Sequence, residues 1–130
     1  MNIFTGNGGI NLLRGVRGAT TVEANERGLI MARVTEMLSA LVIENNIEPT
    51  DLGAAIFSAT PDLDAAFPAA AARTLGWGEV PLFGTQELDV EGGVPLCIRV
   101  LLLWNSDKNQ NEIKHIYLHG ASVLRPDLRK

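Results

Sequence analysis

Three charged side chains stand out in this sequence because of the apolar segments around them. Arg99 lies inside the most apolar stretch of the chain, residues 96–104, and Arg17 and Glu87 each lie where a predicted strand ends. A charge in such a position lowers stability unless it is paired or meets a ligand. Two interpretations follow. Either Arg99 faces solvent or forms a structural ion pair with Glu87, or these groups bind a charged small molecule.

The chain lacks the usual residue patterns of metal, nucleophile and phosphate chemistry. His115 and His119 are four residues apart on a predicted strand, so they share a face but lack the further ligands that zinc requires. Cys97 lies among aliphatic residues, which favours a buried inert thiol over a nucleophile. Ser58 has no Gly-x-Ser-x-Gly setting, and no glycine-rich phosphate or dinucleotide loop is present. We therefore expect neither a metal nor a cofactor.

The composition is that of an acidic globular domain. The 130 residues are 46% apolar and carry a formal net charge of -4, which suits one domain with a sizeable core and argues against nucleic acid as a partner. Eight arginines stand against three lysines. Because arginine grips carboxylates with two parallel donors, this bias fits an anionic small-molecule site as well as a plain surface preference.

The cysteine content and the lack of long apolar runs indicate the cellular compartment of the protein. Cys97 alone cannot form an internal disulfide, so a reducing compartment is the default. Residues 1–9 do not resemble a secretory signal, and no run of about 18 apolar residues is present to span a membrane. We expect a cytoplasmic protein that binds no membrane, with residues 1–10 as a flexible extension and residues 11–130 as a single domain.

The spacing of apolar residues predicts five strands and two helices in the order β-α-β-α-β-β-β. The strands are predicted over 11–16, 52–59, 80–85, 96–104 and 114–118, with 121–124 continuing the last, and the helices over 26–45 and 67–75. Residues 15–20 are predicted as a loop, and either Asn25 or Thr20 caps the first helix, Thr20 as part of a capping box with Glu23. Such an order implies a mixed sheet with both helices on one face. Because residues 52–59 and 96–104 are apolar on both sides, the other face needs cover. Oligomerisation through the sheet is therefore predicted.

Five separate segments of the chain agree with one known family. They are Arg14-Gly-Val-Arg-Gly-Ala-Thr-Thr-Val-Glu23, Ser58-Ala-Thr-Pro-Asp-Leu-Asp-Ala-Ala-Phe-Pro68, Gln86-Glu-Leu-Asp-Val-Glu-Gly-Gly93, Cys97-Ile-Arg-Val100, and His115-Ile-Tyr117 with Val123-Leu-Arg-Pro-Asp-Leu128. In order and spacing they resemble the AroH-class, monofunctional chorismate mutases over about residues 13–128. The resemblance implies an α/β (α+β) fold and a homotrimer with a barrel-like core of packed sheets and active sites at subunit interfaces.

The same resemblance implies an activity, the Claisen-type rearrangement of chorismate to prephenate in phenylalanine and tyrosine biosynthesis. A pericyclic reaction of this kind needs no acid, base or metal. The resemblance assigns Arg99 to the ether oxygen that breaks away, Glu87 to the ring, and Arg17 and Tyr117 to the side-chain carboxylate. The substrate-binding set that it implies is Phe67, Ala69, Arg73, Leu82, Phe83, Gly84, Thr85, Gln86, Cys97, Leu124 and Arg125.

The chain departs from the family pattern at a few positions. Phe83 lies in a stretch where relatives usually carry smaller or more polar residues, and Ala70 stands where a lysine is common. These departures bear on substrate affinity more than on reaction type. Two alternatives stay open at this point: a trimeric imine hydrolase with an interface arginine, and a carboxylate-binding regulatory trimer, since a fold alone does not decide function.

Overall fold

The computed structural model describes residues 11–125, and the predicted flexible extension at residues 1–10 lies outside them. Seven helices and strands build the described part. They are β1 (Leu12–Thr21), α1 (Arg27–Asn45), β2 (Leu52–Ala59), α2 (Ala69–Thr74), β3 (Leu82–Gln86), β4 (Cys97–Ser106) and β5 (Ile116–Tyr117). Three short 3₁₀ helices join them, at Pro49–Asp51, Gln110–Glu112 and His119–Leu124. None of the helices described is long and apolar enough to cross a membrane.

The five strands form one mixed sheet in the order β3-β2-β4-β1-β5. The central strand β4 runs antiparallel to both β1 and β2, whereas the outer strands β3 and β5 run parallel to their neighbours. The predicted order of elements and the mixed sheet are thereby confirmed.

One face of the sheet carries the core and both helices. The apolar residues of α1 recur at helical spacing and are fully buried: Ile30, Val34, Met37, Leu38 and Leu41. They belong to one cluster with Phe57 of β2 and Ala72 of α2, and each fully buried aliphatic side chain contributes about 1.5–3 kcal/mol. Gly18 lets α1 approach β1, because a Cβ there would lie 2.7 Å from Leu41 Cδ1.

Part of the opposite face of the sheet is apolar and exposed within the described chain. Leu101 and Phe83 are 36% and 64% exposed, and Ile56 between them is half-buried. Cross-strand pairing puts these three side chains in one row, because Ile56 is opposite both Leu101 and Phe83. The predicted need for cover on this face therefore agrees with the structure of the single chain.

The beginning of the chain differs from the prediction. The predicted loop at residues 15–20 is wrong, because β1 continues to Thr21 and its glycines face packed neighbours, Leu101 at Gly15 and Leu41 at Gly18. The capping box is also wrong. Thr20 lies in β1, and the residue that precedes α1 is Glu26, which makes no side-chain cap. Asn25 does not cap α1 either, because its side-chain oxygen accepts from the N–H groups of Asp64 and Ala65.

The end of the described chain differs as well. Residues 121–124 do not continue a strand but belong to a 3₁₀ helix, and β5 has only two residues. His119 has a left-handed backbone with φ of 53°, which turns the chain after Leu118, and the Ala121 N–H then donates to the Leu118 carbonyl at 3.0 Å.

Residues 110–120, here called the edge segment, run along the outer edge of β1. Because β5 is so short, side chains supply several of the hydrogen bonds that a longer strand would supply. The side-chain bonds are Gln110 Nε2 to Gly15 O (2.7 Å), Gly15 N to Gln110 Oε1 (3.1 Å), Arg17 N to His115 Nδ1 (3.0 Å) and Gly120 N to Thr21 Oγ1 (2.9 Å). One further bond is between backbone groups, from Leu118 N to Ala19 O (2.9 Å). The edge of β1 is thus satisfied without a full strand beside it.

Two contacts with α1 hold the edge segment in place. Buried Asn45 donates to the carbonyl of Lys114 and accepts from its N–H, both at 2.8 Å. His119 Nε2 lies 2.8 Å from Glu36 Oε1, and this hydrogen bond is the main reason that the pKa of Glu36 is lowered. The segment is therefore tied to the helix that packs on β1.

Candidate active site

One row of residues crosses the whole sheet on the face away from the helices. Cross-strand pairing aligns Tyr117 with Ala19, Ala19 with Arg99, Arg99 with Ser58, and Ser58 with Thr85. Residues opposite one another on neighbouring strands point to the same face. Arg99 therefore projects from the central strand between two small side chains, which leave space around its guanidinium.

Arg99 and Glu87 form an ion pair on this face. Arg99 Nε lies 2.7 Å from Glu87 Oε2, and the two side chains are 47% and 29% exposed. Glu87 follows the end of β3, where its N–H donates to the Ala59 carbonyl at 2.9 Å. Ser58 Oγ donates to the same Oε2 at 3.3 Å. The guanidinium is thus held from one side while nearly half of the side chain stays open to solvent.

An open cleft of about 320 Å³ lies beside Arg99, whereas Glu87 is not among the residues that line it. It is bordered by three arginines from different parts of the chain, together with a tyrosine, a serine and aliphatic groups. The lining residues are Arg17, Gly18, Ile56, Ser58, Arg99, Val100, Leu101, Tyr117, Leu124 and Arg125. Such a lining suits a small anion that carries an apolar ring.

Most of the other predicted substrate-binding residues lie in a second cavity. This cavity, of about 790 Å³, lies between α2, β3 and the loop that follows β2. The predicted residues that line it are Phe67, Ala69, Arg73, Leu82, Gly84, Thr85 and Gln86. Phe83 points instead to the uncovered sheet face, where it is 64% exposed. Within one chain, the structure therefore does not bring the predicted site residues into a single cavity.

Cys97 lies at the start of β4 and is 2% exposed. Burial raises the pKa of its thiol, although the nearby Arg99 charge opposes the shift. The thiol is accordingly neutral at physiological pH, which agrees with the expectation of an inert packing residue.

The turn after β2 sets the start of β4. Cys97 N donates to Thr60 Oγ1 at 3.0 Å, and Thr60 N donates to the Cys97 carbonyl at 3.0 Å. Asp62 accepts from the N–H of Leu96 at 2.9 Å, where the backbone is left-handed with φ of 50°. These bonds fix the start of β4, and Arg99 lies two residues further along the same strand. The sequence did not indicate this supporting role of Thr60 and Asp62.

The two histidines serve different contacts and do not form a metal site together. His115 accepts from the backbone of Arg17, whereas His119 meets Glu36 on α1. Among residues 11–125, no group of three or more His, Cys, Asp and Glu side chains is placed to hold a metal ion. The pKa of His115 is lowered, first by burial and then by the charges of Arg17 and Arg125.

Residues 13–128 match the family model described as chorismate mutase type I. The chain belongs to this family. Two curated chorismate mutases named AroH are similar to it: one from Bacillus subtilis (strain 168), 46% identical over 90% of this chain and 93% of the relative, and one from Thermus thermophilus, 45% identical over 90% and 97%. These matches confirm the resemblance found in the sequence.

A solved structure of similar sequence supports the same assignment at the level of the fold. The chorismate mutase from Clostridium thermocellum has a TM-score of 0.83 and 45% identity, over 84% of this chain and 97% of its own. The chain therefore shares its fold with this chorismate mutase.

Proposed function

We propose that the chain catalyses the rearrangement of chorismate to prephenate in aromatic amino-acid biosynthesis, by electrostatic stabilisation and substrate positioning. One observation carries the mechanism. Arg99 is held at Nε by Glu87 and remains about half exposed, in a cleft that two further arginines line. A fixed cation in an anion-binding cleft is what a reaction that develops negative charge on one oxygen requires.

Arg99 acts on the ether oxygen of the substrate. In the rearrangement, the C–O bond breaks before the new C–C bond is well formed, so negative charge builds up on that oxygen. A guanidinium aimed at the oxygen stabilises the transition state more than the ground state, and only such a difference raises the rate of the chemical step. The bond from Nε to Glu87 restricts the rotation of the guanidinium before substrate arrives.

Glu87 stabilises the positive charge that develops on the substrate ring in the transition state. As the ether oxygen gains electrons, the ring becomes electron-poor, and a carboxylate beside it lowers the energy of that state. Glu87 is held by its own backbone bond to Ala59 and by the hydroxyl of Ser58. It also contacts the ring hydroxyl of the substrate in this proposal.

Arg17 and Tyr117 hold the side-chain carboxylate, and Arg125 and Leu124 cover the cleft. All four line the cleft that contains Arg99. Fixing both ends of a flexible substrate in a compact, chair-like form removes orientational freedom before the bond changes, which supplies part of the rate acceleration.

The active form is a homotrimer in which neighbouring subunits complete each site. The uncovered apolar row at Ile56, Leu101 and Phe83 supports this assembly, as does the separation of the predicted substrate residues into two cavities. In a head-to-tail ring, the second cavity of one subunit is able to approach the Arg99 cleft of the next. In this assembly, Phe67, Ala69 and Arg73 form the outer wall of a neighbour's site.

We expect sedimentation equilibrium at micromolar protein concentration to give a mass three times that of one chain. Burial of the apolar residues on the exposed sheet face favours this association. Activity should fall on dilution if the ring dissociates. A monomer of full specific activity would contradict the shared site.

Two further assignments accompany the proposal. Residues 11–130 form a single domain, and the protein is cytoplasmic, which agrees with its one buried cysteine. Chorismate and prephenate are its small-molecule partners, and neither nucleic acid nor membrane is involved.

The wild-type protein should convert chorismate to prephenate in the presence of a chelator and without any added cofactor. The measurement is the loss of the diene absorbance of chorismate, with prephenate identified in the product. A protein that leaves chorismate intact at high enzyme concentration but hydrolyses reactive imines would favour the imine hydrolase. One that binds carboxylates and turns over neither substrate would favour the regulatory trimer.

A further inference from the structure

The backbone of Arg17 is held by a side chain and not by a neighbouring strand. The pairing of β1 with β5 covers only Gly18 and Ala19, so the N–H of Arg17 lies beyond the end of β5. His115 Nδ1 accepts that N–H at 3.0 Å. The imidazole therefore replaces a strand carbonyl at the residue whose side chain borders the anion-binding cleft.

This bond defines the proton arrangement of His115. A ring nitrogen accepts a hydrogen bond only when it carries no proton, so the neutral ring has its proton on Nε2. Protonation of His115 would put a second N–H on Nδ1, directly opposite the N–H of Arg17. The hydrogen bond would be lost, and two donors would face each other.

The surroundings of His115 favour the neutral ring. Burial lowers its pKa most, and the charges of Arg17 on β1 and Arg125 after the last 3₁₀ helix lower it further. Both arginines line the cleft. A protonated His115 would therefore add a third positive charge beside them as well as break the bond to the backbone.

We propose that His115 is a positioning residue: in its neutral form it holds Arg17 at the cleft, and its protonation in mildly acidic solution weakens binding of the substrate carboxylate. This inference rests on the proposed function. Charge alone predicts the reverse, since an additional cation would attract the dianionic substrate more strongly at low pH. The direction of the pH effect on KM therefore separates the positioning role from simple electrostatic attraction.

The test compares the pH dependence of kcat and KM for chorismate, between pH 5 and 8, in the wild type and in His115→Asn and His115→Leu. The Asn amide oxygen can accept the Arg17 N–H near the position of Nδ1 and does not titrate in this range, whereas Leu offers no acceptor. We expect the wild-type KM to rise by up to about tenfold as the pH falls below 6, with a smaller change in kcat. His115→Asn should keep KM within about twofold across the range, and His115→Leu should show the raised KM at every pH.

Three controls make the outcome decisive. His119→Asn changes the other histidine of the edge segment and should retain the wild-type pH dependence of KM. Thermal unfolding is followed over the same range, because neutral His115 contributes its full stability above its ordinary pKa of 6.5 and loses that contribution as the pH falls through its lower folded value. The ¹⁵N–¹H signal of Arg17 should shift with acid in the wild type and not in His115→Asn.

The inference fails if KM falls with acid, or if His115→Asn follows the wild-type profile. It fails equally if the Arg17 amide signal does not respond to pH. Failure of the proposed function is a different result: the folded wild type would not consume chorismate at pH 7.5, whatever the Arg17 signal does.

Discussion

Arg99→Ala should reduce kcat for chorismate by about 10³-fold or more, with a much smaller change in KM. In the proposed mechanism the guanidinium faces the oxygen where negative charge appears, and removal of one such preorganised donor typically costs about 10²–10³ in rate. Because the side chain is 47% exposed, its loss should leave little strain in the fold. The measurement is steady-state kinetics together with a thermal unfolding curve.

Arg99→Lys tests whether charge alone suffices. Lysine carries the same charge but has one nitrogen, so it cannot reproduce the planar guanidinium, which has further donors besides the Nε that pairs with Glu87. We therefore expect less than about tenfold recovery over Arg99→Ala. Arg33→Ala is the matched control, since Arg33 pairs with Glu23 at 2.8 Å outside the cleft; its kcat should equal that of the wild type. Wild-type turnover in Arg99→Ala would refute the role given to this residue.

Glu87→Gln should lower kcat by about 10²-fold while the protein stays folded. The amide keeps the size of the carboxylate and can still accept from Arg99 and Ser58, but it lacks the charge that, in the proposed mechanism, stabilises the electron-poor ring. The ion pair is partly exposed, so solvent screening limits its contribution to stability to about 1 kcal/mol or less. Activity and unfolding therefore need to be measured on the same preparation.

The comparison with Glu23→Gln separates the two interpretations of Glu87. Glu23 also pairs with an arginine at 2.8 Å, but it lies away from the cleft, so Glu23→Gln should keep full turnover. If Glu87→Gln instead unfolds early, and the folded fraction retains wild-type kcat, then the pair with Arg99 is structural and Glu87 takes no part in the reaction.

The bounds of a strand could be predicted where proline and turn residues lie at both of its ends. β2 occupies the predicted residues 52–59 because Pro49 precedes it and Thr60-Pro61 follows it. The bounds of β1 could not be predicted, because glycines such as Gly15 and Gly18 are typical of loops. Only the structure shows that they pack against Leu101 and Leu41 within a strand. The same holds for residues 121–124. Their conformation depends on a turn at His119, and an apolar pattern does not reveal such a turn.

The charged residues of the candidate site could be predicted from the sequence. The residues that hold them in position could not. Arg99, Glu87 and Arg17 are conspicuous because they interrupt or follow apolar segments, and the family resemblance adds Tyr117 and a role for each of the four. Ser58 and His115 make their contacts only through the register of the sheet, since their partners lie 29 and 98 residues away. Neither the register nor the division into two cavities follows from residue type and spacing alone.

The edge segment also affects how the sheet meets other molecules. An uncovered strand edge presents a row of free N–H and carbonyl groups on which a foreign strand can assemble, and this is a common start of aggregation. Along β1, the Gln110 amide and the His115 imidazole occupy those groups at Gly15 and Arg17, yet neither side chain offers a new backbone edge in turn. The outer edge of β1 is thereby closed to strand addition at these two residues, and within residues 11–125 the outermost strand at the other end of the sheet is the short β3.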